Sequence, residues 1–291
     1  MEPPRPVPVA RLPQALCRDL RYLFTDIDDT LTSNGMLPDS SYGALWDLER
    51  AGVNVVPVTG RPAGWCDHIA RMWPVEAVVG ENGAFVYAYD RKRRTMRRDM
   101  LQAGGDPEAR RETLMRVAAR VLREVPGAAL AADQPFRISD VAIDYCEDVP
   151  RLGPDKVDEI CRILADEGMH YKVSSIHVNY WVGDFDKLSG VRSFAEREAG
   201  LSFSDLARAA LFIGDSPNDE PLFGGFAHSI AVGNIRAFLG KIRQLPEFIT
   251  ERDSAEGFTE AVRTILAKRS GSGSFNRKGR PGCTPGPGRP A

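Results

Sequence analysis

Hydrophobic runs in this chain follow two patterns. Residues 22–24, 53–58 and 75–79 are continuous apolar stretches, each ending in a polar or glycine-rich turn. Continuous rather than alternating hydrophobicity predicts strands buried on both faces, as in a parallel sheet. Between the first two, residues 40–51 place Tyr42, Leu45, Trp46 and Leu48 on one apolar face, and Gly52 supplies the stop. Strand, helix, strand is a βαβ unit. The same grammar returns at 209–215 and 229–233, with helical segments around 187–198 and 218–223, and closes with a strand near 248–250 and a helix over 257–268. Two chain ends distant in sequence thus predict one α/β sheet.

The middle of the chain reads differently. Leu114, Val117, Ala118, Val121 and Leu122 follow helical spacing, as do Val157, Ile160, Cys161 and Leu164, and strand-like sequence follows each at 142–146 and 171–178. Partial alternation in those strands suits a sheet with one solvated face. The predicted architecture is α/β, a doubly wound, Rossmann-like parallel-sheet core with an inserted α+β cap domain. Its parts are an N-terminal extension over 1–18, a core from 19–87 and 184–269, a cap over 88–183 and a disordered tail over 270–291. The tail mixes Gly, Ser, Pro and Arg and has almost no apolar side chains to offset chain entropy. Its basic residues Arg277, Lys278, Arg280 and Arg289 read as solvated.

At 291 residues, with 43% hydrophobic and 27% charged positions, the chain has the makeup of a soluble protein of more than one core. A formal net charge of −2 gives no reason to expect nucleic acid as a partner. No run approaches the roughly 18 apolar residues of a membrane span, and the proline-rich start lacks the apolar core of a signal peptide. Cys17, Cys66, Cys146, Cys161 and Cys283 are odd in number and scattered, and read as reduced thiols. A cytoplasmic home without membrane contact is the expectation; the sequence leaves the oligomeric state open.

Chemistry concentrates where the core strands end. After 22–24 come Asp26, Asp28 and Asp29; after 53–58 come Thr59, Gly60 and Arg61; Lys187 opens a helical segment; and Gly214-Asp215-Ser216-Pro217-Asn218-Asp219 follows the strand at 209–213. In open α/β sheets ligands sit at the carboxyl ends of the strands, so these four elements can meet. Acids for a hard cation, a hydroxyl and backbone amides for phosphate oxygens, and a lysine against accumulating charge meet the requirements of phosphoryl transfer.

The ordered set Asp-x-Asp-x-Thr, strand-end Thr, Lys and Gly-Asp-x-x-x-Asp resembles the signatures of the haloacid dehalogenase superfamily and covers the core from Tyr22 to Asp219. An insertion between the second and third signatures, preceded by Gly80-Glu81-Asn82-Gly83-Ala84, resembles the type-IIB branch, which includes Cof-like and sugar-phosphate phosphatases. The resemblance implies Asp26 as nucleophile and Asp28 as general acid and then base. It further implies Mg²⁺ held by Asp26, Asp215 and the backbone carbonyl of Asp28 with Asp219 nearby, Thr59 on a phosphoryl oxygen, and Lys187 ordering Asp26. Asp29 stands where glycine is commonest in the family.

Other residues carry two readings. Arg61 and Asn218 orient phosphate or metal ligands, or cap helices; Glu81 and Asn82 line the substrate entrance, or form a turn into a hairpin. Ser175, His177 and Asn179 share one strand face, suited to sugar hydroxyls or simply solvated. Arg91, Lys92, Arg93, Arg94, Arg97 and Arg98 form a solvated hairpin turn or an electropositive lip. The expected activity is Mg²⁺-dependent hydrolysis of a small phosphorylated metabolite, a sugar phosphate, through an aspartyl phosphate, with Thr59, Gly60, Arg61, Asn82 and His177 on the substrate. Its rivals are a phosphomutase and a non-catalytic sugar-phosphate-binding protein.

Overall fold

The computed structural model of the protein describes residues 5–101 and 106–271. The tail expected over 270–291 falls, from residue 272, outside the described residues, as does Cys283. Strands β1 (Val7–Pro8), β2 (Tyr22–Thr25), β3 (Asn54–Pro57) and β4 (Val78–Gly80) are followed by a hairpin of β5 (Phe85–Asp90) and β6 (Thr95–Met100). The middle supplies β7 (Ala129–Leu130), β8 (Asp140–Asp144), β9 (His170–Val173) and β10 (His177–Trp181), and the last third β11 (Ala210–Gly214), β12 (Ser229–Ala231) and β13 (Phe248–Ile249).

A parallel sheet runs in the order β1-β13-β12-β11-β2-β3. Alternate residues along its strands enter different cores: Leu23, Val55, Leu211 and Ile213 one, Phe24, Val56 and Phe212 the other. Both faces are covered, which is why the runs are continuous in sequence. From β2 the chain moves to β3 on one side, while β11 pairs with β2 on the other. The strand order reverses there, so the carboxyl ends of β2 and β11 frame a crevice.

Helix Asp39–Arg50 buries Ser41, Ala44, Leu45 and Leu48. Trp46, expected on that face, is 37% exposed and stands edge-on to Tyr42. The N-terminal extension is, from residue 5, part of the core: β1 adds to the sheet edge, and Val9, Leu12 and Cys17 enter the same cluster as Leu23.

The cap boundary expected at 88 moves. It falls inside β5, and the hairpin belongs to the core side: β4 joins β3 through the parallel bridge Val58 to Val79, and Phe85, Val86, Tyr87 and Ala88 enter the core clusters. Sequence did not disclose this, because Arg97, Arg98 and Asp99 make β6 half charged, with none of the apolar run that marks the core strands. A separate apolar cluster begins only at Leu114 and ends at Tyr180.

That cap is an antiparallel sheet ordered β7-β8-β10-β9, with helices Pro107–Glu124 and Pro154–Asp166 on one face. Register pairs Val178 with Ile143 and Tyr180 with Val141, all in the cluster under the helices. The opposite face carries His177 and Asn179 of β10 with Asp140 and Asp144 of β8, and is buried rather than solvated. It forms the roof of the crevice. The segment 171–178, read as one strand, is a hairpin turning at Ser174, whose hydroxyl accepts the His177 amide at 3.0 Å.

Candidate active site

Asp26 follows β2 directly and is buried. Its Oδ1 accepts the Ile27 amide at 2.8 Å, and its Oδ2 lies 3.0 Å from Lys187 Nζ. Lys187 is the first residue of helix Lys187–Phe194, fixed by a capping box between Asp186 and Ser189. Its ammonium also donates to Asp219 Oδ1 at 2.7 Å. Burial opposes the charge of Lys187, but Asp219 and Asp26 outweigh it and raise its pKa.

Asp215 follows β11 directly and meets Asp26 because β11 pairs with β2. Its carboxylate accepts the Thr30 hydroxyl at 3.2 Å and the Asn234 amide at 3.1 Å. Asp219 folds back to accept the Asp215 amide at 3.0 Å. Gly214 makes this possible, since a Cβ there would stand 2.4 Å from Asp219 Oδ2. Asp26, Asp215 and Asp219 each offer a carboxylate oxygen, all within 4.8 Å of one another.

Three buried acids against one lysine leave uncompensated negative charge. Burial raises the Asp26 carboxyl to about 7, against the pull of Lys187 and with Asp219 and Asp28 adding to the rise. Burial, with Asp219 and Asp26 alongside, likewise pushes Asp215 well above the ordinary range. Hard oxygen donors with an unmet charge deficit fit a divalent cation.

Asp28 belongs to a different network. Its carboxylate, expected as general acid and base, is gripped by Arg61, whose Nε donates to both oxygens at 3.0 Å and whose Nη2 donates to Oδ1 at 2.8 Å. Arg61 Nη2 also reaches Glu147 Oε1 of the cap at 3.0 Å, and the guanidinium lies 4.4 Å over the Trp65 ring. Glu147 Oε2 in turn lies 2.9 Å from His177 Nε2.

Thr59 is buried at the end of β3, and its Oγ1 accepts the Arg61 amide at 3.0 Å, so it shapes the turn through Gly60. The pocket is lined by Asp26, Asp28, Gly60, Arg61, His177 and Asn218, among others; with its open mouth it spans about 360 Å³. Of the expected substrate residues, Gly60, Arg61 and His177 line it, whereas Thr59 and Asn82 lie behind Gly60, with the Asn82 Nδ2 at 3.2 Å from where a Gly60 Cβ would be. Glu81 is a clamp rather than an entrance residue: its carboxylate accepts the core amide of Ala63 and the cap amides of Ile138, Ser139 and Asp140.

Sequence reading missed two cap residues. Arg137 donates to the Gly60 carbonyl at 2.9 Å while paired with Asp133 and Asp140. Its charge alternation with those acids was the available signal; Glu147 had none. The basic hairpin forms no lip, since Arg97 pairs with Glu198 and Arg98 with Asp67, away from the pocket.

A sequence model of haloacid dehalogenase-like hydrolases matches residues 23–104. Over those residues the chain is similar to the haloacid dehalogenase-like hydrolases. No curated protein sequence matches the chain significantly. Three solved structures share its fold. The C-terminal domain of Candida albicans trehalose-6-phosphate phosphatase has a TM-score of 0.68 at 14% identity, over 93% of this chain and 99% of that one. A superfamily phosphatase of Bacteroides thetaiotaomicron gives 0.56 at 18% identity, over 85% and 95%. Synechocystis sucrose-phosphatase, in complex with sucrose and phosphate, gives 0.56 at 16%, over 86% and 98%. The alignments extend over cap as well as core. Asp29, where the superfamily most often has glycine, sits at φ +55°, a left-handed conformation that explains the preference and that aspartate tolerates better than most residues.

Proposed function

We propose that this protein is a Mg²⁺-dependent phosphatase that cleaves a small phosphomonoester, a sugar phosphate by class, through an aspartyl phosphate on Asp26. The observation that carries the reading is the split between neighbouring acids. Asp26 is buried between Lys187 and the acid cluster, while Asp28, two residues on, is turned with Arg61 toward the pocket.

Asp26 attacks phosphorus, with Lys187 fixing one of its oxygens and the Ile27 amide the other. Asp28 protonates the leaving alkoxide and then takes a proton from the water that opens the acyl phosphate. The turn through Thr59 and Gly60 receives the phosphoryl oxygens. Asp26 and Asp215 would hold Mg²⁺, with the Asp28 backbone carbonyl and Asp219, whose oxygens are already engaged by Lys187 and the Asp215 amide, supporting them. The ion supplies charge stabilisation for the transferring phosphoryl group. The polar roof of His177 and Asn179 suits hydroxyl groups and excludes bulk water. Unpaired thiols at Cys17, Cys66, Cys146 and Cys161 support a reducing, cytoplasmic home.

The test is phosphate release from a panel of sugar phosphates with Mg²⁺ and with EDTA, for the native protein and for Asp26→Asn. Release that requires Mg²⁺ and falls on the order of 10⁴-fold or more in the variant supports the reading. Retained turnover in Asp26→Asn sinks the nucleophile assignment, and silence of the native protein across the panel sinks the phosphatase.

A further inference from the structure

Among the described residues, Arg61 is the side chain that grips the proposed acid–base residue and the cap together. Its guanidinium is 5% exposed and fully engaged: two donors on Asp28, one of them shared with Glu147, a third nitrogen 3.8 Å from Asp133 Oδ2, and a Trp65 ring beneath. Asp28 Oδ1 receives two of its donors and Oδ2 one. Arg61 therefore fixes the plane of the Asp28 carboxylate and leaves Oδ2 the freer oxygen, with lone-pair capacity for the pocket.

The anchors of Arg61 come from different bodies. Asp28 and Trp65 are core residues; Glu147 and Asp133 belong to the cap, so the guanidinium has all of its partners only when the cap is docked. Glu147 is built for that contact. Asp144 accepts the amides of Cys146, Glu147 and Asp148 at 2.8, 2.7 and 2.8 Å, which rigidifies the loop, and His177 holds the second Glu147 oxygen. A surface acid serving only solubility needs neither support.

We propose that Glu147 is a positioning residue for Asp28, acting through Arg61, so that docking of the cap aims the proton-transferring carboxylate at the leaving group. This rests on the phosphatase reading of Asp28. It separates two roles of the cap: the roof contacts the leaving group, while the Glu147 carboxylate meets Arg61 and His177 and sets the chemistry beneath.

Leaving groups provide the test. An alkoxide needs a proton as it departs, whereas p-nitrophenolate does not, so a residue that aims Asp28 affects the two unequally in the phosphorylation step. Single-turnover cleavage of a hexose 6-phosphate and of p-nitrophenyl phosphate is measured with Mg²⁺ for the native protein, Glu147→Gln and Arg61→Lys. Both variants are expected to slow the alkyl ester about tenfold more than the aryl ester. Combining them is expected to give little further loss, since both act on one contact. Equal slowing of both esters, as a merely structural role or misfolding would give, overturns the proposal, as do unchanged rates or losses that multiply in the double variant. Failure of the phosphatase reading is distinct, because the native protein would then cleave neither ester.

Discussion

The core side and the cap side of this pocket handle charge in opposite ways. On the core side, Asp26, Asp215 and Asp219 converge on one point with a single lysine among them. At the seam with the cap, Arg61 sits between Asp28 and Glu147, and Arg137 between Asp133 and Asp140. Burial of uncompensated like charges costs stability and persists where a ligand removes the cost. A site left short of cations is built to take one from solution. A seam whose charges already have partners is built to hold two bodies in register.

Removing an acid from the deficient side tests that contrast most strongly. Asp215→Asn takes away a carboxylate whose hydrogen bonds, among the described residues, come from Thr30 and Asn234, so the local structure should survive. Loss of metal-borne charge stabilisation should cost activity on the order of 10³-fold, with millimolar Mg²⁺ no longer restoring it. Phosphate release titrated against Mg²⁺ checks this; a native-like Mg²⁺ dependence in the variant would show that the cluster is not the cation site.

Stability against pH sharpens the contrast further. Asp26 titrates near 3.9 when unfolded and near 7 in the folded, metal-free protein. A carboxyl whose pKa is raised by folding contributes most below its unfolded pKa, and that contribution is lost as pH rises through the folded one. In EDTA the melting temperature should therefore fall between pH 5 and pH 8. Mg²⁺ should offset the fall by about 2.7 kcal/mol at a hundredfold excess over its Kd. A gap between the EDTA and Mg²⁺ curves that does not widen with pH would contradict the charge-deficit account.

What the sequence disclosed follows the same division. Asp26, Asp28, Asp215 and Asp219 stand at strand ends in short, contiguous motifs, and strand pairing alone brings the first and third together. The seam is assembled by the fold: Glu147 meets Arg61 across 86 positions and Glu81 meets Ser139 across 58, distances that leave no local spacing to read. Alternation correctly placed His177 and Asn179 on one strand face, but whether that face met water depended on a second domain covering it. The turn before His177 was hidden because Ser174 supplies through its hydroxyl what glycine or proline usually signals.

The smallest expected effect lies at the seam, where Asp28, Glu147, Asp133 and Asp140 each already have an arginine partner. Glu147 is held down to about 2 by the His177 imidazole 2.9 Å away and by Arg61. A carboxyl whose pKa is lowered by folding stabilises above its unfolded pKa, near 4.3, and loses that contribution as pH falls toward 2. Partial exposure to solvent screens the pair, so Glu147→Gln should cost only about 1 kcal/mol near neutrality. The difference from the native protein should stay constant between pH 8 and pH 5 and shrink as pH drops below about 4.3. Urea unfolding across that range reads it directly. Mg²⁺ should leave this difference unchanged, because Glu147 belongs to the seam and not to the acid cluster; a difference that tracked Mg²⁺ would mean that the two sides share one charge balance after all.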